Sequence, residues 1–193
     1  MTSGAWGIKP SRTARRRRSA IARPGAAGYN RLMANLILSL ADEAATAALA
    51  GRLAALAQPG DIIALEGDLG AGKTSFARAF VRFCTSPDED VPSPTFTLVQ
   101  IYDCDSGNCD IGQIWHFDLY RLEKPEDALE LGIEDAFADA VSLIEWPDRL
   151  GPWLPPDRLT VRLAADPHLE TARQAHLTGG PSWNARLGDL SGE

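Results

Sequence analysis

Eight consecutive residues combine glycines, a lysine and a hydroxyl group in an order that suits phosphate binding. They are Gly67, Asp68, Leu69, Gly70, Ala71, Gly72, Lys73 and Thr74. Glycines let backbone N–H groups turn inward around phosphate oxygens, and a helix that begins at the lysine presents its positive end to the same anion. We expect Lys73 to reach the β- and γ-phosphates and the Thr74 hydroxyl to ligate Mg²⁺. The pattern predicts a P-loop nucleotide site.

A P-loop requires a strand before it and a helix after it. Residues 61–66 form a short β-branched run that is typical of a buried strand, and residues 73–83 carry Phe76, Phe80 and Phe83 at helical spacing. At 193 residues, the chain has the length of one globular domain. The order strand, glycine loop, helix therefore supports a true P-loop in an α/β domain.

The rest of the chain alternates between strand and helix patterns. We expect strands at residues 35–40, 96–102, 111–119, 141–145, 158–163 and 171–177. We expect helices at residues 42–57, 125–131 and 134–140. The strands at 96–102 and 111–119 are joined through a turn at 105–108, which predicts a β-hairpin. An amphipathic piece with Trp183, Leu187 and Leu190 ends the chain.

A P-loop enzyme also needs a carboxylate at the end of a neighbouring strand to help hold Mg²⁺. Asp118 follows the apolar segment 114–117, and Glu145 follows the apolar segment 141–144. Both lie at the carboxyl ends of strands, where open α/β sheets bind their ligands. Spacing alone leaves the choice between the two acids open.

The net charge of −7 hides two unlike segments. Residues 1–32 carry eight basic and no acidic residues, which leaves the remaining 161 residues at −15. A surface with this much negative charge repels a phosphate backbone, so we expect any contact with RNA to run through a partner. No apolar run is long enough for a membrane helix, so the sequence predicts a protein without a membrane partner.

The basic leader, residues 1–32, shows no sustained helical or strand period, which favours disorder. An over-long start or unstructured tail is the plainest interpretation, since Met33 stands immediately before the first ordered pattern. A transit peptide and a nucleic-acid-binding arm stay open as alternatives. A secretory signal is disfavoured because the apolar core is missing.

Three cysteines are too few for a disulfide scaffold or a four-ligand zinc site. Cys104 and Cys109 bracket the 105–108 turn and face each other if the hairpin forms. Because disulfides are rare in the cytosol, we expect two free thiols and assign them no chemistry.

Four blocks in this order closely resemble the bacterial TsaE family, small ATPases required for tRNA threonylcarbamoyladenosine biosynthesis. The blocks are the P-loop, residues 93–99 (SPTFTLV), residues 116–122 (HFDLYRL) and residues 144–147 (IEWP). The resemblance covers Met33 to about Leu163. It implies a P-loop NTPase-like three-layer domain with a mixed, mostly parallel central sheet and a β-hairpin. We expect this domain to span residues 33–178, with a C-terminal tail at 179–193.

The resemblance further implies a cytoplasmic Mg²⁺-dependent ATPase that works with two partner proteins. In that scheme the partners transfer a threonylcarbamoyl group to the adenosine next to the anticodon, and ATP hydrolysis resets the complex. Lys73, Asp118 and Glu145 are the implied catalytic residues, and Thr74 and Glu145 are the implied Mg²⁺ ligands. Thr95 lies in a switch-like loop where its hydroxyl can sense the γ-phosphate. The implied ATP-binding residues are Leu69, Gly70, Ala71, Gly72, Lys73, Thr74, Ser75 and Thr95.

Several nearby residues have plainer interpretations. His116 precedes Asp118 and can be a base, but a histidine that begins a buried strand segment is more often packed and hydrogen bonded. Trp115, Trp146 and Trp153 can stack on adenine or contact a partner, although core packing is the default for large aromatic residues. Arg121 is either a cation for the phosphates or the ion-pair partner of Asp118, and the sequence does not decide between them.

Two rival functions share the same motif. A small-molecule kinase usually adds an Arg-rich lid, whereas the body here has only 11 widely spread basic residues. A nucleotide-dependent interaction module with little turnover uses the same residues as an ATPase, so only a measurement of phosphate release with the partner proteins separates those two.

Overall fold

The computed structural model describes residues 34–104, 109–167, 169, 171–188 and 190. All of them belong to one compact unit, Leu32–Glu193. The basic leader expected at 1–32 and the hairpin turn expected at 105–108 lie outside the described residues. In the part of the chain that is described, no helix is long and apolar enough to cross a membrane.

Seven strands form one central sheet. They are β1 (Ala34–Leu40), β2 (Ile62–Glu66), β3 (Val99–Asp103), β4 (Gln113–Asp118), β5 (Val141–Glu145), β6 (Leu159–Ala165) and β7 (Arg173–Gly179). Their spatial order is β1-β7-β6-β2-β5-β4-β3. Strands β1, β6, β2, β5 and β4 run in one direction, whereas β7 and β3 run in the other. The mixed, mostly parallel sheet expected from the resemblance is therefore confirmed.

Helices cover both faces of this sheet. They are α1 (Glu43–Leu56), α2 (Lys73–Cys84), α3 (Ile133–Asp139) and α4 (Asn184–Gly188), with 3-10 helices at Pro125–Leu129 and Pro147–Trp153. One apolar cluster joins α1 and α2 to one face, and a second cluster joins α3 and the 3-10 helices to the other. The two clusters and the sheet between them make the expected three layers.

The helix α1 begins and ends where its sequence predicts. Asp42 is its N-cap, and the Asp42 carboxylate accepts a hydrogen bond of 2.8 Å from the backbone N–H of Ala45. This bond satisfies one of the N–H groups that have no partner inside a first helical turn. Gly60, with φ +85°, then turns the chain toward β2.

The hairpin is present, but its first strand starts later than expected. Residues 94–97 form a turn, and β3 begins only at Val99, because Leu98 adopts a left-handed φ of 65° that interrupts the extended chain. The Leu98 carbonyl still accepts from the N–H of Asp118 at 3.0 Å. Phe96, expected in the strand, is 81% exposed. The turn that replaces this part of the strand belongs to the site described below.

The expectation of two unpaired thiols at Cys104 and Cys109 is wrong for Cys109. Cys109 forms a disulfide with Cys84, the last residue of α2, across a Cα–Cα distance of 5.4 Å. The buried end of α2 lies against the connection between β3 and β4, which brings together two cysteines that are 25 residues apart in sequence. Their spacing gives no sign of this contact.

The last described segment packs into the core that α1 and α2 share. Trp183 is fully buried, and Leu187 and Leu190 belong to the same apolar cluster. Arg186 stacks 3.9 Å from the centroid of the Trp183 ring and donates to both carboxylate oxygens of Asp61. The segment therefore closes one end of the core beside the start of β2.

This packing predicts a large cost for removing the Trp183 ring. Trp183→Ala should lower the free energy of unfolding by about 3–5 kcal/mol, the usual range for a buried large-to-small change. Trp153→Ala is the matched control, because Trp153 is 42% exposed, and it should change stability by less than about 1 kcal/mol. Urea unfolding of both variants checks this, and equal losses would contradict the assigned packing.

Candidate active site

The P-loop joins β2 to α2 through backbone angles that favour glycine. Gly67, Gly70 and Gly72 all have positive φ, and Gly72 is the left-handed N-cap of α2. At Gly67 a Cβ would also lie 2.3 Å from the carbonyl oxygen of Leu163 in β6. Because glycine has no side chain, the loop can pass close to β6 at this position before it enters the helix.

The side chain of Lys73 folds back over this loop. Its Nζ donates to the carbonyl oxygens of Gly67 at 2.7 Å and Asp68 at 2.8 Å, and it lies 4.1 Å from the centroid of the Trp146 ring. Burial lowers the pKa of the Lys73 ammonium, and the nearby carboxylates, Glu145 first, oppose that shift. The cation is therefore held inside the loop by acceptors that carry no full charge.

The next residue, Thr74, meets the carboxylate at the end of β5. The Thr74 hydroxyl donates to Glu145 Oε1 at 2.8 Å and lies 3.1 Å from Oε2. On its other side, Glu145 Oε1 is 3.0 Å from His116 Nε2. Glu145 is 3% exposed, and His116 is completely buried. A hydroxyl from α2 and an imidazole from β4 thus hold one carboxylate between them.

Asp118 lies beside Glu145 because the two are direct partners in the parallel register of β4 and β5. Its Oδ2 accepts from the Thr95 hydroxyl at 2.6 Å, and its Oδ1 accepts from the backbone N–H of Tyr120 at 3.1 Å. The Ser93 and Thr95 hydroxyls are 2.7 Å apart. Asp118 therefore anchors the turn at 94–97, whereas Glu145 contacts the P-loop helix.

An aromatic pair lies at one side of these groups. Trp146 follows Glu145 with a left-handed φ of 58°, an unusual conformation for a bulky residue. Its ring packs against Tyr120 at a centroid distance of 5.0 Å and beneath the Lys73 ammonium. Strained backbone of this kind clusters at functional sites, where surrounding contacts hold it in place.

These groups line a cleft of about 340 Å³. Of the residues expected at the site, the cleft contains Leu69, Gly70, Gly72, Lys73, Thr74, Ser75, Thr95, Asp118 and Glu145. Ala71 is the exception, since its methyl group packs in the core cluster of α1 and α2. The structure adds Ser93, Tyr120 and Trp146 to the cleft. Ser93 and Tyr120 each lie two residues from an expected site residue, which is the signal that could have identified them. Trp146 is one of the tryptophans for which adenine stacking and core packing were both left open.

The geometry bears on the interpretations of two neighbouring residues, His116 and Arg121. His116 is packed and hydrogen bonded, as its position before a buried strand segment suggested. Among the described residues Arg121 forms no ion pair with Asp118, because its guanidinium lies 4.4 Å from the centroid of Phe96 and the contacts of Asp118 come from Thr95 and Tyr120. Its alternative role, as a cation for the phosphates, stays a prediction.

These features define an α/β domain with the P-loop nucleotide-binding fold: a glycine loop between β2 and α2, a lysine and a threonine at the helix start, and carboxylates at the ends of the adjacent strands. A family model described as threonylcarbamoyl adenosine biosynthesis protein TsaE matches residues 40–175. The chain therefore belongs to the TsaE family, as the four sequence blocks suggested.

Curated relatives agree with this assignment. The tRNA threonylcarbamoyladenosine biosynthesis protein TsaE of Rickettsia conorii is 40% identical over 66% of this chain and 70% of its own length. The protein of the same name from Bacillus subtilis is 38% identical over 60% of this chain and 69% of its own length. That of Nostoc is 35% identical over 78% of this chain and 88% of its own length.

A solved structure is similar over most of the domain. The crystal structure of Bacillus subtilis YdiB superposes with a TM-score of 0.63 at 28% sequence identity. The match covers 83% of this chain and 95% of YdiB. The α/β P-loop architecture is thus shared along nearly the whole length of that protein.

The P-loop geometry predicts unequal effects of adding a methyl group at two glycines. Gly67→Ala should lower the melting temperature more than Gly70→Ala, because only the Gly67 methyl meets a backbone oxygen, 2.3 Å away. Both positions have positive φ, and nothing lies within 4 Å of a Cβ at Gly70, so Gly70→Ala reports a conformational cost alone, about 1–2 kcal/mol. Thermal unfolding of the two variants checks the order, and a larger loss for Gly70→Ala would contradict the close approach to β6.

Proposed function

We propose that this chain hydrolyses ATP in the cleft in an Mg²⁺-dependent reaction that supports threonylcarbamoyl modification of the adenosine next to the anticodon of tRNA. One observation carries the proposal: the Thr74 hydroxyl and the Glu145 carboxylate meet at 2.8 Å in the same cleft as the Lys73 ammonium. Family membership supplies the pathway, because the curated relatives are named for that biosynthesis.

Lys73 has the position that phosphate binding requires. Its ammonium lies inside the glycine loop and contacts two backbone carbonyls there. A phosphate oxygen carries more negative charge than a peptide carbonyl, so the β- and γ-phosphates of ATP would draw the same N–H groups toward them. Lys73 then serves as a positive charge that holds and neutralises the phosphates.

Thr74 and Glu145 fit Mg²⁺ by the chemistry of their oxygens. Magnesium prefers oxygen ligands and is usually bound through one or two protein side chains together with substrate phosphates. The Thr74 hydroxyl at the start of α2 and the Glu145 carboxylate at the end of β5 are such a pair. When bound, the ion neutralises the charge that develops on the phosphate oxygens.

Asp118 is suited to a different task. Its two oxygens accept from Thr95 and from the Tyr120 backbone, so it fixes the turn at 94–97 that borders the cleft. We assign to Asp118 the orientation of the attacking water or the coupling of this turn to the γ-phosphate. Thr95, hydrogen bonded to Asp118 and Ser93, is the hydroxyl that can sense that phosphate.

The partners follow from the family and from charge. We propose that two partner proteins transfer the threonylcarbamoyl group in the cytoplasm and that ATP hydrolysis resets their complex. The acidic charge of residues 33–193 supports an indirect contact with tRNA, since such a surface repels the phosphate backbone.

Removing the Lys73 charge should abolish tight nucleotide binding without unfolding the protein. Lys73→Ala should weaken ATP affinity about 10- to 100-fold, because charged hydrogen bonds contribute about 1.5–3 kcal/mol. Lys124→Ala is the matched control, since Lys124 is exposed and outside the cleft. Calorimetric titration of ATP into both variants tests this prediction. Normal ATP affinity in Lys73→Ala would refute the assigned phosphate site.

Substitution of the two carboxylates should have different effects on nucleotide affinity and on the rate of ATP hydrolysis. Glu145→Gln should weaken the Mg²⁺ dependence of nucleotide binding and also slow turnover. Asp118→Asn should keep Mg²⁺-dependent binding and lose hydrolysis, which is the signature of an interaction made mainly in the transition state. The measurements are nucleotide affinity across an Mg²⁺ titration and single-turnover phosphate release, each with and without the partner proteins.

The opposite pattern, with binding lost in Asp118→Asn and kept in Glu145→Gln, would show that the two roles are reversed. Absence of phosphate release from the unaltered chain, even with its partners, would instead favour the interaction module without turnover.

A further inference from the structure

His116 is a buried polar side chain to which the proposed reaction gives no task. It lies in β4 between Trp115 and Phe117 and is completely buried. Its Nε2 is 3.0 Å from Glu145 Oε1, while its Nδ1 is buried with no hydrogen-bond partner among the described residues. Burying a polar ring with one unpaired nitrogen is unfavourable, so an apolar side chain would suit a purely structural position better.

The contact with Glu145 determines the role of Nε2. A carboxylate accepts hydrogen bonds, so Nε2 carries a hydrogen and donates it. Glu145 Oε1 then accepts from His116 and from Thr74, while Oε2 has only the longer Thr74 contact of 3.1 Å. The carboxylate is thus held from two elements, and Oε2 keeps the greater spare capacity to accept.

The side on which His116 lies supports this arrangement. His116 and Asp118 are two residues apart in β4, and their register partners in β5 are Leu143 and Glu145. Alternation along the strands therefore places His116, Asp118 and Glu145 on the same face of the sheet. His116 approaches Glu145 from within the sheet and Thr74 approaches it from the P-loop helix, so the imidazole is the support that does not depend on the conformation of the loop.

We propose that His116 is a positioning residue that orients the Glu145 carboxylate toward the cation of the nucleotide site through its Nε2–H. Histidine–carboxylate contacts behind a metal ligand commonly tune metal affinity in this way. This inference rests on the proposed function, because Glu145 is assigned there as the Mg²⁺-side carboxylate. His116 is not among the residues that line the cleft, so it acts through Glu145 and is a positioning residue, not a catalytic one.

Two substitutions of His116 distinguish a role in positioning Glu145 from a role in packing alone. His116→Gln places an amide N–H at the same bond separation as Nε2, whereas His116→Asn places it at that of Nδ1, away from Glu145. His116→Asn should raise the Mg²⁺ concentration for half-maximal binding of a non-hydrolysable ATP analogue by about 10-fold or more, the usual effect of losing such a contact. His116→Gln should restore a value near that of the unaltered chain. Binding measured in excess chelator, without Mg²⁺, should be the same in all three proteins.

The results distinguish failure of the proposed function from failure of the inference about His116. If the unaltered chain binds the analogue with no Mg²⁺ dependence, the proposed function fails and this inference fails with it. Unchanged Mg²⁺ dependence in His116→Asn, with that dependence intact in the unaltered chain, overturns the inference alone. Equal weakening by both substitutions with and without Mg²⁺ also overturns it, because that pattern reports packing of the ring.

A measurement on the chain with His116 intact covers the case in which the substituted proteins do not fold. Nitrogen-15 NMR distinguishes protonated from unprotonated ring nitrogens, and the other two histidines can be assigned by His168→Gln and His176→Gln. We expect His116 to carry a hydrogen on Nε2. A hydrogen on Nδ1 with a bare Nε2 would overturn the proposal.

Discussion

The burial of the Glu145 carboxylate is the constraint on which the rest of the site depends. A charged group with 3% of its surface exposed is tolerated only where hydrogen-bond donors surround it. Here the donors come from α2, through Thr74, and from β4, through His116. One carboxylate at the end of β5 thereby sets the position of the P-loop helix relative to two strands of the sheet.

The register of the parallel strands extends this constraint to Asp118. Because Asp118 and Glu145 are paired in β4 and β5, two acids stand side by side at the carboxyl edge of the sheet. Their environments then diverge. Asp118 accepts from the turn at 94–97 and from the Tyr120 backbone, whereas Glu145 accepts from the start of α2 and from His116. The sequence could not separate the two acids, since both follow apolar strands, but these different donors support different roles.

Features that depend on local pattern were accessible from the sequence, and those that depend on distant contacts were not. The strand before the P-loop, the helix after it and the helix expected at 42–57 follow from composition and spacing over a few residues. The Cys84–Cys109 disulfide and the stacking of Lys73 on Trp146 join segments that only the folded sheet brings together. The late start of β3 was missed for another reason, because a leucine with positive φ has no compositional signal.

The pairing of β1 with β7 has a consequence for the order in which the protein can form during synthesis. The first described strand hydrogen bonds only with the last one, from Ala34 with Gly179 to Leu40 with Arg173. The P-loop strand β2 likewise lies between β5 and β6, both of which follow it in the chain. A nascent chain that ends shortly after the glycine loop therefore lacks both neighbours of β2, and β1 cannot pair until Arg173–Gly179 has left the ribosome. Such long-range pairing slows folding and leaves strand edges exposed meanwhile. The phosphate-binding loop is thus translated early but assembled late, and an incomplete chain cannot present a finished nucleotide site to other proteins.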